Sequence, residues 1–188
     1  MNWMKKVAVA LVCLLPLGLQ AAKVDTLQVK SPSMNKSIEV VVVSPDVAAT
    51  KACPVIYLLH GYGGNARTWV GIKPDLSKIA DEKGIFFVCP DGKNTWYWDS
   101  PLNADVRYET FISDELVKYV DSHYKTVADR KGRAITGLSM GGHGAMWNGL
   151  RHSDVFSAAG STSGGVDIRP FPKNWEMSVQ IGEKAKYP

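Results

Sequence analysis

The chain has 188 residues, 45% hydrophobic and 21% charged, which suits a folded domain with a real core and excludes a disordered chain. Its formal charge of +4 comes from 22 Lys and Arg against 18 Asp and Glu. The excess forms no run, so the sequence carries no nucleic-acid footprint.

Residues 1–22 have the pattern of an export signal. Lys5 and Lys6 precede an apolar stretch from Val7 to Leu15, Pro16 and Gly18 break it, and the small residues Ala21 and Ala22 follow. A retained anchor is the competing reading, although the stretch is short for a bilayer. Removal of the signal leaves residues 23–188 as one domain with no second apolar span. It is expected to be secreted or periplasmic and not membrane-bound.

Thr26 to Lys30 and Ile38 to Val43 read as strands joined by a turn over Ser31 to Asn35. Pro54 to Leu59 is a continuous apolar run, the mark of a strand covered on both faces. Pro74 to Lys83 reads as a helix closed by Gly84. Ile85 to Cys89 is a second buried strand, and the stretch to Arg107 is loop. Thr110 to His123 reads as a helix, Arg133 to Leu138 as a strand, and a glycine-rich turn leads into a helix ending near Leu150. Val155 to Ala159 is a last short strand.

The alternation predicts an α/β fold with a mostly parallel sheet and an antiparallel N-terminal edge. Cys53 opens one parallel strand and Cys89 closes another, so they stand roughly 15–20 Å apart at 3.3 Å per residue. A disulfide needs Cα atoms within about 7 Å, so two free, mostly buried thiols are expected.

Ligands on such sheets bind beyond the carboxyl ends of the strands, where both glycine-rich loops fall. Gly137-Leu138-Ser139-Met140-Gly141 is a G-x-S-x-G pattern between a strand and a helix, a turn that raises the Ser139 hydroxyl above the sheet edge. A packing turn without chemistry is the bland alternative. Attack on a carbonyl needs N–H donors for the developing oxyanion. Met140 at the helix start supplies one, and Tyr62 in the loop His60-Gly61-Tyr62-Gly63-Gly64 the other, with Gly63 as a substitute donor. Gly61 and Gly63 let the backbone approach a substrate. His60, at a strand end, reads as structural rather than as a base. Trp96 and Tyr97 overhang the same edge and either hold an aryl or sugar group or merely cover the core.

Three segments together resemble a family of esterases: Leu59 to Asn65, Trp96-Tyr97-Trp98-Asp99 with Tyr108-Glu109 and Glu115-Leu116, and Gly137 to Ala145. That family includes S-formylglutathione hydrolases, tributyrin, feruloyl and acetyl-xylan esterases, and mycolyltransferases. The resemblance spans about residues 38–165. It implies an α/β-hydrolase fold, with Ser139 as nucleophile and Met140 and Tyr62 as oxyanion donors.

In α/β-hydrolases the triad acid and histidine follow the serine. Here only His143 and His152 follow it. His143 is one turn along the serine's own helix, on the wrong side for a base, and His152 ends that helix. Asp154 precedes a strand, at the wrong end of the sheet, whereas Asp167 is near the right end and placed to line the pocket. The expectation is a fragment lacking the C-terminal strands, the acid and the histidine. A natural short form without a full triad is the alternative.

The function expected is a secreted serine carboxylesterase acting through an acyl-enzyme, on small-molecule or polysaccharide-linked esters such as acetyl or feruloyl groups. No cofactor and no metal are expected. The rivals are an acyltransferase of the same fold and a catalytically dead carbohydrate-binding homologue.

Overall fold

The computed structural model describes residues 22–170 and 174–182. The export signal expected before residue 22 lies outside the described residues. The strands are β1 (Lys23–Ser31), β2 (Lys36–Ser44), β3 (Val55–Leu59), β4 (Phe86–Pro90), β5 (Arg133–Leu138) and β6 (Ala158–Thr162). Among the described residues they form one sheet in the order β1-β2-β4-β3-β5-β6. Strands β3, β4, β5 and β6 are mutually parallel, while the β1–β2 hairpin pairs antiparallel within itself and onto β4. This is the expected α/β-hydrolase architecture.

The apolar runs cover both faces because neighbouring side chains in a strand point to opposite sides. Val40 and Val42 join a core with Val55, Tyr57, Leu59, Phe86 and Val88. Val41 and Val43 join a second core with Leu58, Phe87 and Cys89 on the opposite face. Full burial of each such valine stabilises the sheet by about 1.5–3 kcal/mol.

Helices α1 (Thr68–Ile72) and α2 (Leu76–Lys83) follow β3. Leu76 and Ala80 of α2 close the second core, and Gly84 ends the helix at φ 63°. The first core is closed by α4 (Leu116–His123), which continues from the short α3 (Tyr108–Thr110) through a π turn at Phe111–Glu115. Leu116, Val117 and Val120 face inward from α4. Helix α5 (Met140–Arg151) joins β5 to β6, and α6 (Met177–Ile181) lies in the last described segment.

Three elements differ from the sequence reading. Strand β6 begins at Ala158 rather than Val155, because Phe156 is a buried loop residue whose ring packs edge-on against Tyr57 at 5.7 Å. The short helices α1 and α6 carry too few turns to leave a helical period. Cys53 and Cys89 are free and buried, as expected from their opposite strand ends.

Candidate active site

The carboxyl ends of β3, β4, β5 and β6 converge at one edge of the sheet, and the loops leaving them build the site. Ser139 caps α5 and adopts φ 55°, ψ −118°, a conformation that a residue with a side chain rarely takes. Its N–H donates to Thr162 O at 2.9 Å, fastening the turn to the end of β6. The serine itself is exposed, although Met140 beside it is fully buried. The hydroxyl thus stands at the surface on a rigid base.

Gly61 faces this turn directly. A Cβ built on it would lie 3.5 Å from Ser139 Cβ and 3.4 Å from Leu138 O, so the first glycine of the β3 loop borders the serine. Met140 is the first residue of α5, and its N–H has no acceptor within the helix. Gly63, at φ 76°, gives its N–H to Asn94 Oδ1 at 2.8 Å. That bond removes Gly63 as the substitute donor and leaves Tyr62 N–H as the donor candidate on this loop. The Tyr62 side chain is 38% exposed; a hydrogen bond with Glu176 is the main cause holding its phenol above the ordinary value.

His60 is 1% exposed and both its ring nitrogens meet backbone groups, Nδ1 with Gly61 O at 2.7 Å and Nε2 with Gly92 N–H at 2.9 Å. With both nitrogens occupied, His60 is not placed as a base. Asn94 and Gly92 were missed in the sequence. Their only signal is a turn-forming Asp91-Gly92-Lys93-Asn94 run directly after a buried strand.

Trp96 and Tyr97 both have positive φ, 59° and 61°, and both are buried. The Tyr97 ring fills the space beside Gly92 and Gly144, and its hydroxyl donates to His60 O at 3.1 Å. Trp96 stacks on Trp98 at 5.7 Å and meets His143 edge-on at 5.2 Å. Tyr97 is fully buried and braces the β3 loop, a role other than the two expected for it. Trp96 lies within an aromatic cluster and donates through Nε1 to Trp175 O at 3.2 Å.

Neither histidine after Ser139 is placed as its base. His143 hydrogen-bonds Gly165 O through Nδ1 at 2.7 Å inside the tryptophan cluster, and burial holds it below the ordinary histidine value. His152 Nε2 lies 2.8 Å from Glu109 Oε1, at the far end of α5. Asp167 is exposed and paired with Arg169 at 2.8 Å. A polar cleft of about 320 Å³, lined by Gln28, Glu39, Asn65, Arg67, Asp91 and Lys93, opens beside the loops after β3 and β4. Among the described residues no group of three or more His, Cys, Asp or Glu is gathered as a metal site would be.

Comparison with known proteins shows the family. A family model described as "Putative esterase" matches residues 31–186. The protein named Esterase Rv1288 of Mycobacterium tuberculosis (strain ATCC 25618 / H37Rv) is 31% identical over 149 residues, covering 76% of this chain and 32% of that protein. The diacylglycerol acyltransferase/mycolyltransferase Ag85A of Mycobacterium leprae (strain TN) is 32% identical over 158 residues, covering 77% and 44%. A solved ferulic acid esterase superposes with a TM-score of 0.72 at 31% identity, covering 89% of this chain and 71% of that one. The chain therefore spans less than half of each of the two curated relatives.

Proposed function

The chain belongs to the esterase family, and from that premise we propose that it serves in a serine carboxylesterase reaction through an acyl-enzyme, with Ser139 as nucleophile. The observation that carries this reading is Ser139, exposed at φ 55° between β5 and α5, with Gly61 of the β3 loop against it. A glycine-rich packing turn would have no need to hold an exposed serine in a strained conformation.

In this mechanism Ser139 Oγ bonds to the ester carbonyl carbon as its proton passes to a general base. The carbonyl electrons move onto oxygen, and the N–H groups of Met140 and Tyr62 donate hydrogen bonds to the resulting oxyanion. Collapse expels the alcohol, which takes up the proton. Water then repeats the sequence on the acyl-enzyme and releases the acid. His143 is held through Nδ1 inside the tryptophan cluster and His152 pairs with Glu109 at the far end of α5, so neither is assigned as the base.

The substrate proposed is an acyl ester of a polyhydroxylated alcohol, with acetyl or feruloyl groups on polysaccharide as the leading case. The likeness to a ferulic acid esterase supports it. The signal-like pattern of residues 1–22 supports export of the protein. The likeness to a mycolyltransferase supports a second reading, transfer of the acyl group to a sugar hydroxyl in place of water.

The test is fluorophosphonate labelling of the full gene product and its Ser139→Ala variant, with product analysis on feruloyl and acetyl sugar esters. Labelling lost in Ser139→Ala, with free acid released, is the expected result. An acylated sugar formed from added acceptor selects the transferase instead. A wild-type protein that neither labels nor turns over is a binding homologue.

A further inference from the structure

We infer that His60 is a positioning residue for the oxyanion hole, its ring clamping the Gly61–Tyr62 peptide so that the Tyr62 N–H faces the substrate oxygen. The inference rests on the serine mechanism proposed above.

The proton positions on His60 follow from its partners. Gly61 O can only accept, so the 2.7 Å contact places a proton on Nδ1. Gly92 N–H can only donate, so its 2.9 Å bond requires a lone pair on Nε2. Together they select the neutral Nδ1–H tautomer. Asp91 Oδ1 is 3.5 Å from Nε2, a longer contact than the one Gly92 makes with that lone pair, and Asp91 is itself engaged by the Lys93 ammonium at 2.6 Å.

That tautomer bears on catalysis through one peptide plane. The Gly61 carbonyl and the Tyr62 N–H belong to the same rigid unit and point in opposite directions. Gly61 O is held twice, by His60 Nδ1–H and by Gly64 N–H at 3.0 Å, so the plane cannot rotate freely. Fixing the oxygen fixes the aim of the N–H. Donation to the carbonyl also polarises the peptide and strengthens its N–H as a donor. The next amide cannot substitute, because Gly63 N–H is held by Asn94. His60 is itself immobile, being buried and braced by the Tyr97 hydroxyl on its carbonyl.

The two ring nitrogens can be tested separately. Asn at position 60 puts an amide N–H close to the place of Nδ1, whereas Gln puts its amide group close to the place of Nε2. The measurement is the second-order rate of fluorophosphonate labelling of Ser139 in the full gene product, with melting temperatures as a check on folding. The phosphonyl oxygen occupies the oxyanion hole, so the rate reads the hole without needing turnover. We expect H60Q to label about 10- to 100-fold more slowly than wild type and H60N to stay within about tenfold, at similar melting temperatures. Gln matching or exceeding Asn would mean that His60 serves only to anchor Gly92, and would overturn the inference. Wild-type rates in both variants would overturn it as well. Absence of labelling in the wild type would instead sink the serine mechanism, and the role of His60 with it.

Discussion

Gly141 of α5 lies so close to the end of β3 that a Cβ built on it would be 2.2 Å from Leu59 O. The carbonyl is fixed in the sheet and cannot move aside. Gly141→Ala should therefore lower stability by about 3 kcal/mol, the upper end of ordinary overpacking, because backbone rather than a side chain must shift. Urea unfolding of the variant checks this. A loss below about 1 kcal/mol would mean that α5 can slide on β3.

The conformation of Ser139 predicts a trade of stability against chemistry. At φ 55°, ψ −118° a side-chain-bearing residue stores roughly 1–3 kcal/mol, most of which glycine does not feel. Ser139→Gly should melt a few degrees above Ser139→Ala, although glycine in an ordinary site would melt lower. Calorimetry on the two variants decides it.

Glu109 ties α3 to α5. It accepts from Trp147 Nε1 and Arg151 Nε, each at 2.7 Å, and lies 2.8 Å from His152 Nε2. Burial alone would raise its carboxyl, but the bonds from Arg151, Trp147 and His152 outweigh this and hold it below the ordinary value. A depressed carboxylate contributes stability above its unfolded pKa, about 4.3, and loses it as pH falls through the lower folded value. Glu109→Gln should cost about 1–3 kcal/mol at pH 7 and progressively less below pH 4. Melting curves from pH 7 to pH 3 give the answer. A constant gap between variant and wild type would remove the electrostatic explanation.

Burial raises both Cys53 and Cys89, the latter to about 12. A thiol reacts as its thiolate, so neither should react with Ellman's reagent at pH 8 in the native protein. Both should react once urea unfolds it, and peptide mapping assigns them. Rapid labelling of Cys89 in the folded protein would contradict its place at the end of β4.

Much of the fold was legible because its strands are long apolar runs with a turn signal at each end. Val55–Leu59 and Arg133–Leu138 could be placed to within a residue for that reason. Ala158–Thr162 could not, since alanine, glycine and serine carry little strand preference while Val155 and Phe156 just before them do. The strained turn at Ser139 was legible because the glycines that permit it flank the serine within five residues. The support of the β3 loop was not. It comes from Gly92, Asn94 and Tyr97, some thirty residues on, through a backbone N–H, a side-chain amide and a buried hydroxyl that leave no spacing in the sequence.

The bond from Ser139 N–H to Thr162 O hangs the serine turn on β6, four of whose five residues are exposed. Such a strand opens in small fluctuations well before the valine-filled centre of the sheet gives way. Amide exchange should thus be fast along β6 and slow along β2, where Val40 to Val43 are all buried. Each opening releases the serine from its strained pose, so warming should loosen the Ser139 turn while the rest of the molecule still looks folded.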